Sequence, residues 1–384
     1  MNNEWVKDYC LDEDESVHKA FYYLNKFRNH KIIIVTDTGG KAVGILTPGD
    51  FNEEHVGDIG GMSRYGVYAP EPLSHRCYDG VTVGEVCNRS FKFIRENEDK
   101  YSAGRNIFAD AGIKILDIPV LDTNGAPVDI FARWQAFYRE YLATRRLSRM
   151  SYVEPIYQAA LLARKKGYDT ISVIEFGVAG GTGLVLADLY ARETERLTGV
   201  RIQVYGFDLG SGLPATDKAE DLLIAYKQGD YVMDESALRR QLRGAKLVLG
   251  DIRETAKDFF AKYAPAPIGA MFIDVDLYES TAAVLDMLLE PDDWYLPIVY
   301  MWFDDLAVGS DFSGEWLAIK EFNAKSLNSK ITPEDMFSGR SDDCGFLMAG
   351  DLSVGATQQK RNVRYSHPKW ATAKAGNSIC ELRI

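Results

Sequence analysis

The chain has 384 residues, 46% of them hydrophobic and 12% aromatic, which is a globular composition and more length than one ordinary core absorbs. Two domains are therefore expected. A formal net charge of −12 with no basic block argues against nucleic acid as a main partner, and no run of about 18 apolar residues exists to span a membrane. The first residues lack the basic-then-apolar pattern of a signal peptide. Five scattered cysteines without close pairing fit a reducing, cytoplasmic setting.

Two segments of the front part resemble each other. An apolar run at 31–36 leads into Asp37 and Gly40 and then a second run at 42–46. A run at 115–121 leads into Asp122 and Gly125 and then a run at 127–131. Both read as strand, Asp-x-x-Gly turn, strand, and each follows a helical stretch, at 16–27 and 103–111. A repeated small α/β unit predicts two copies packed face to face. The pattern, with Val83 to Asn88 as the lead-in to the second copy, resembles a tandem CBS-domain pair, or Bateman module, over residues 1–135. That resemblance implies a regulatory adenine-nucleotide site in which Thr47 and Asp50 contact ribose and phosphates. Ala132 and Gln135 stand at the matching places of the second copy, which leaves one half-site. The alternative is a module that only packs or dimerises, and a homodimer is the expectation for such pairs. Residues 52–80 read as loop.

Residues 136–166 are expected as a helical linker, broken near Pro155. The arginine-rich run at 145–149 is read as a solvated face, with an anion site as the alternative. From 167 to 350 the pattern is strand and helix in alternation. The run at 171–176 breaks into Gly177, Gly180, Gly181 and Gly183, as a buried parallel strand does before a ligand-approaching turn. The next two strands end at Asp208 and Asp251. Glycine turn, acid, acid on consecutive strands suits an adenosine-containing cofactor. The Glu-x-Gly spacing from Glu175 fits the dinucleotide fingerprint poorly and favours S-adenosylmethionine over NAD. The long segment 217–242, with Tyr226, Tyr231 and Met233, is expected as a substrate lid.

An apolar strand at 268–273 then ends in Asp274 and Asp276, and the strand at 296–303 ends in Asp304 and Asp305. Adjacent parallel strand ends converge on one rim, so these carboxylates share a small volume. A hard divalent cation with oxygen ligands relieves their repulsion; the alternative is that each acid caps the next helix. All five histidines lie outside 76–366, so a metal or base here must be carboxylate-based or recruit His367. Glu315 is read either as an ordinary first-turn helix acid or as support for the Asp304–Asp305 pair. The stretch 351–384, with Lys360, Arg361, Arg364, His367 and Lys369, is expected as a tail that covers the site or binds an anionic substrate.

The succession of these motifs resembles class I S-adenosylmethionine-dependent methyltransferases, most nearly the macrocin-type, metal-dependent sugar O-methyltransferases. The resemblance implies an α/β, doubly wound, Rossmann-like sheet of seven strands, the last antiparallel. It implies that Glu175, Gly177 and Gly181 line the methionine and ribose side of the cofactor, Asp208 holds the ribose hydroxyls and Asp251 the adenine. It further implies Mg²⁺ on Asp274, Asp304 and Asp305, and Asp276 as general base. The acceptor would be a small molecule carrying a sugar or polyol hydroxyl, including nucleotide-linked sugars. A metal-free transferase and a sensor without turnover are the rival readings.

Overall fold

The computed structural model describes residues 4–26, 30–50, 80–111, 115–221, 226–306, 310–326, 330–333 and 362–366. The chain divides into two compact units, Met1–Tyr141 and Leu142–Ile384.

In the first unit, β1 (Cys10–Asp12), α1 (Val17–Lys26), β2 (Ile33–Thr36) and β3 (Ala42–Leu46) form one copy of a unit. After α2 (Val83–Val86), β4 (Ile94–Arg95), α3 (Lys100–Asp110), β5 (Asp117–Leu121) and β6 (Pro127–Ala132) form the other. In each copy the first strand pairs parallel with the second, and the second antiparallel with the third. The two hairpins close by the same chemistry. Asp37 Oδ1 accepts from the amides of Gly39 and Lys41, both at 2.9 Å. Asp122 Oδ1 accepts from Asn124 and Ala126, both at 2.8 Å. Gly40 and Gly125 take φ of 78° and 87°, a region where a side chain is strained.

Strand alternation gives β2 two apolar faces. Ile33 and Val35 pack with Val17, Ala20 and Leu24 of α1, while Ile32 and Ile34 meet Trp5, Val6 and Tyr9 of an N-terminal 3₁₀ turn. The unit continues into α4 (Arg133–Ala136) and α5 (Tyr138–Ala143), the boundary falling within α5.

The second unit opens with α6 (Met150–Lys166), followed by β7 (Thr170–Phe176), α7 (Thr182–Thr198), β8 (Arg201–Asp208), α8 (Glu235–Gln241), β9 (Lys246–Leu249) and α9 (Ile252–Tyr263). Then come β10 (Ile268–Ile273), α10 (Tyr278–Asp286), β11 (Tyr295–Phe303), α11 (Gly314–Lys325), β12 (Lys330–Pro333) and β13 (Asn362–Ser366). The seven strands form one sheet in the order β12-β13-β11-β10-β7-β8-β9. Five of them, β9 to β11 across the sheet, run parallel; β13 is antiparallel to both its neighbours.

One sheet face carries Phe176, Phe207, Met271, Ile273 and Phe303, packed with Phe259, Val284 and Phe322 from α9, α10 and α11. The other is covered by α6 and α7, with Tyr152 stacked on Phe272 at a centroid distance of 4.1 Å. Burying aromatic rings on both sides, at roughly 1.5–3 kcal/mol per large side chain, fixes the strand ends to a common level. Register aligns Phe176 with Phe207 and Ile273, and Ile273 with Phe303. The residues after these positions therefore share one rim.

Residues 136–166 carry α5 and α6; the unit boundary falls within them at 141/142, and α6 packs on β7, β10 and β11. Two expectations change. Helix α6 runs unbroken through Pro155, its sixth residue, which is buried. Residues 362–366, inside the expected tail, form β13 within the sheet; Lys360, Arg361, His367 and Lys369 lie outside the described residues. Among the described residues, no helix is long and apolar enough to cross a membrane.

Candidate active site at the carboxyl rim of the sheet

The turn after β7 threads between two neighbouring strand ends. Gly177 donates its amide to Phe207 O at 2.8 Å, and Asp274 donates to Phe176 O at 2.9 Å. Gly177 has φ 85°, and a Cβ there would stand 1.7 Å from the Asp274 carbonyl oxygen, a backbone atom that cannot step aside. Gly181, the residue before α7, has φ 82°; a Cβ there meets the Leu238 side chain at 2.4 Å. Asp208, at the end of β8, holds this turn. Its Oδ2 accepts from the amides of Val178 and Ala179 at 2.9 and 2.8 Å, and its Oδ1 from Gly210 at 2.6 Å.

Glu175 lies on the other sheet face, 2% exposed, beneath the first turn of α7. A Cβ on Gly183 would come within 1.8 Å of its Oε1, so Gly183 makes room for the acid. The Tyr152 hydroxyl donates to Oε1 at 2.7 Å, while Oε2 has no hydrogen-bonding partner. Burial pushes the Glu175 carboxyl up from 4.5 to about 8, against the pull of Tyr152 and Arg149. Asp251 caps α9, accepting from the Arg253 amide at 2.9 Å and from its guanidinium at 2.6 Å, which holds its carboxyl low.

The acids after β10 and β11 do converge. Asp274, Asp276 and Asp305 each bring a carboxylate oxygen within 4.8 Å of the others'. Asp276 sits at φ 59°, a bend that turns it back to the rim. Burial, then Asp305 and Asp274, push its carboxyl up from 3.8 to about 9. Asp304 is not in this trio: its Oδ1 accepts from Trp302 Nε1 at 3.3 Å. Consecutive residues in extended chain point opposite ways, so of the pair only Asp305 faces Asp274 and Asp276.

Glu315, in the first turn of α11, is fully buried, and its Oε2 accepts from the Asp305 amide at 2.9 Å. Burial and then Asp305 hold its carboxyl well above the usual range.

The described residues of 210–221 and 226–233 bring Tyr226 and Tyr231 within electrostatic reach of Asp276 and Asp305. The stretch is cinched by Leu213 N–H to Asp230 O at 2.8 Å, Gly229 N–H to Leu213 O at 2.9 Å and Met233 N–H to Gly210 O at 3.1 Å. The Tyr226 phenol hydrogen-bonds the Asp305 carboxylate. Leu213, Pro214, Thr216, Tyr226, Lys227 and Leu277 line a cleft of about 90 Å³ beside Asp276. Within the expected lid at 217–242, residues 235–241 form α8, capped by Asp234 and packed through Leu238 at Gly181; residues 222–225 lie outside the described residues.

Within the arginine-rich run, Arg146 and Arg149 are exposed, as a solvated face requires, while Arg145 is half-buried. Arg145 pairs with Glu154, but Arg149, at φ 47°, lies 5.2 Å over the Tyr152 ring, within electrostatic reach of Glu175, Asp274 and Asp304. Only its position immediately before α6 could have signalled this.

In the first unit, Asp50 Oδ2 accepts from Thr47 N–H at 2.6 Å and Thr47 Oγ1 at 2.8 Å. Gln135 Oε1 accepts from Ala132 N–H at 2.9 Å, the same turn closed with a neutral acceptor.

No family model and no curated protein matches the chain. Among solved structures, the calicheamicin methyltransferase CalS11 is similar at 19% identity, over 61% of this chain and 87% of that one, with a TM-score of 0.36. The O-methyltransferase NovP is similar at 18% identity, over 56% and 78%, with a TM-score of 0.39. The CBS domains of a transcriptional regulator from Streptococcus pneumoniae are similar at 16% identity, over 34% and 89%, with a TM-score of 0.24. Solved structures resembling this chain thus include both methyltransferases and CBS-domain proteins; the functional assignment is drawn from the chain's own residues.

Proposed function

We propose that the second unit is an S-adenosylmethionine-dependent O-methyltransferase that uses Mg²⁺ to methylate a hydroxyl of a sugar or related polyol. The observation that carries this reading is the convergence of Asp274, Asp276 and Asp305 beside a glycine turn that admits no side chain. The residues fit both groups. Gly177 and Gly181 let the turn pack against the Asp274 carbonyl and Leu238, with Asp208 and Asp251 on the next strand ends, in the order an adenosine-containing cofactor asks for. The trio offers only oxygen donors, whose mutual repulsion a hard cation would relieve. The seven-strand order with an antiparallel β13 agrees with the methyltransferase resemblance.

When bound, the cofactor supplies an electrophilic methyl group and the cation makes the acceptor hydroxyl more acidic. Asp276, ionised once a cation neutralises its neighbours, would take the hydroxyl proton on its carboxylate while the methyl passed from the sulfonium to that oxygen and a neutral thioether was left. Asp274 and Asp305, with Asp304 as an outer member, hold the cation. Asp208 tethers the glycine turn with three accepted amide bonds and keeps one acceptor site for a ribose hydroxyl; Asp251, whose acceptor sites are filled by Arg253, would meet the adenine only by releasing that side chain. Glu175 supports the turn from beneath. The Gly210–Met233 segment positions the acceptor and excludes water, and positioning alone can supply up to about 7–11 kcal/mol.

Titration calorimetry of S-adenosylmethionine with Mg²⁺, and again with EDTA, tests this. Binding in both conditions, a separate Mg²⁺ event lost in Asp305→Ala, and cofactor binding lost in Asp208→Ala support it. Cofactor binding that survives Asp208→Ala and disappears in Thr47→Ala would overturn it. In the first unit, Thr47 and Asp50 are proposed to hold a regulatory adenine nucleotide; no heat with ATP, AMP or S-adenosylmethionine that depends on Thr47 would refute that role.

A further inference from the structure

Glu315 has the sequence position of an ordinary first-turn helix acid, which would face solvent and favour the helix N-terminus. It does neither. Its side chain turns inward and is fully buried, with Oε2 held by the Asp305 amide at 2.9 Å. Its second oxygen, Oε1, is sealed from solvent and has no hydrogen-bonding partner. An unmatched buried acceptor costs about 1–3 kcal/mol, and more when charged. The charged groups that bear on it most are Asp305, Asp274 and Asp304, all of its own sign. A glutamate is thus retained where leucine or glutamine would be cheaper, and its orphaned oxygen lies among the acids of the rim.

We propose that Glu315 is a positioning residue of the cation site: it fixes Asp305 through the backbone amide and presents Oε1 as an outer acceptor for the group held by Asp274 and Asp305. The proposal rests on the metal reading above. Outer partners of this kind, lost by mutation, typically lower metal affinity about 10–100-fold.

The test uses the full chain and Mn²⁺ alone as the probe, with affinity read by titration calorimetry and electron paramagnetic resonance. Wild type, Glu315→Gln and Asp305→Ala are compared, and thermal unfolding is followed in EDTA. Glutamine keeps an oxygen for the Asp305 amide and removes the second acceptor. The expected result is a Glu315→Gln chain at least as stable as wild type without metal, but binding Mn²⁺ about 10–100-fold more weakly. Equal Mn²⁺ affinity would overturn the proposal while leaving the metal reading intact. A Glu315→Gln chain less stable than wild type in EDTA would make the residue a structural acid and overturn it too. A wild type that binds no Mn²⁺ would instead remove the metal reading, and the proposal with it.

Discussion

Glu175→Gln separates a protonated buried acid from an ionised one. The Glu175 carboxyl is 2% exposed and pushed up to about 8 by burial, whereas the unfolded chain ionises it near the ordinary 4.5. The folded state therefore keeps a proton that the unfolded state releases. This group's contribution is fully present below the unfolded value and is lost as pH rises through the folded one. Over about 2.5 pH units within that window, at about 1.4 kcal/mol per unit, wild type loses about 3 kcal/mol between about pH 5 and about pH 7.5 from this one group. Glutamine still accepts from the Tyr152 hydroxyl but carries no proton to lose. Its amide N–H₂ stands where the protonated acid's O–H stands, equally without an acceptor, so that cost is shared and does not vary with pH. The two chains should be about equally stable at about pH 5, and the Glu175→Gln chain the more stable by about 3 kcal/mol at about pH 7.5. Urea unfolding of both full chains, without ligand, read by circular dichroism at the two pH values, gives the difference of differences. Parallel loss of stability in the two chains would refute a protonated Glu175.

The remaining predictions concern the rim. Asp276→Asn should lower turnover by about 10²–10⁴-fold while S-adenosylmethionine affinity stays within about threefold, in a radiolabelled methyl-transfer assay paired with calorimetry. Gly177→Ala should destabilise the chain by at least about 1–3 kcal/mol, since its Cβ would collide with backbone, whereas Gly181→Ala meets only the movable end of Leu238 and should cost less; thermal unfolding ranks the two. Tyr226→Phe frees the Asp305 carboxylate from a phenol hydrogen bond and should raise Mn²⁺ affinity by about tenfold, measured by calorimetry.

Much of this architecture is written locally. The two hairpins of the first unit were legible because Asp37 and Asp122 each close their turn within four residues, with a glycine where φ must be positive. The rim was legible because parallel strands in register must end together, which places Gly177, Asp208, Asp274 and Asp304 without knowledge of any long-range contact. What failed depended on direction or on distant partners. Asp276 joins the trio through a left-handed bend that nothing in its neighbours announces. Asp304 and Asp305 are indistinguishable in sequence, and the way each side chain points decides which faces the cluster. Pro155 suggests a break, yet α6 runs through it with the ring buried. The short β13 has no pattern of its own and gains its identity from pairing with strands some 30 to 60 residues earlier.

That strand sits as a wedge between β11 and β12. Among the described residues, β12 joins the sheet only through β13, and β11 pairs with β13 along Ile298 to Trp302. Shortening the chain to a point before Asn362 would strip the outer side of β11 of its backbone partners and leave β12 with no strand to hold it. Exposed amides and carbonyls on a strand carrying Val299 and Met301 invite another molecule to add on. A series of progressive C-terminal deletions should accordingly show an abrupt fall in soluble yield at this strand, where trimming a dispensable extension would give only a gradual decline.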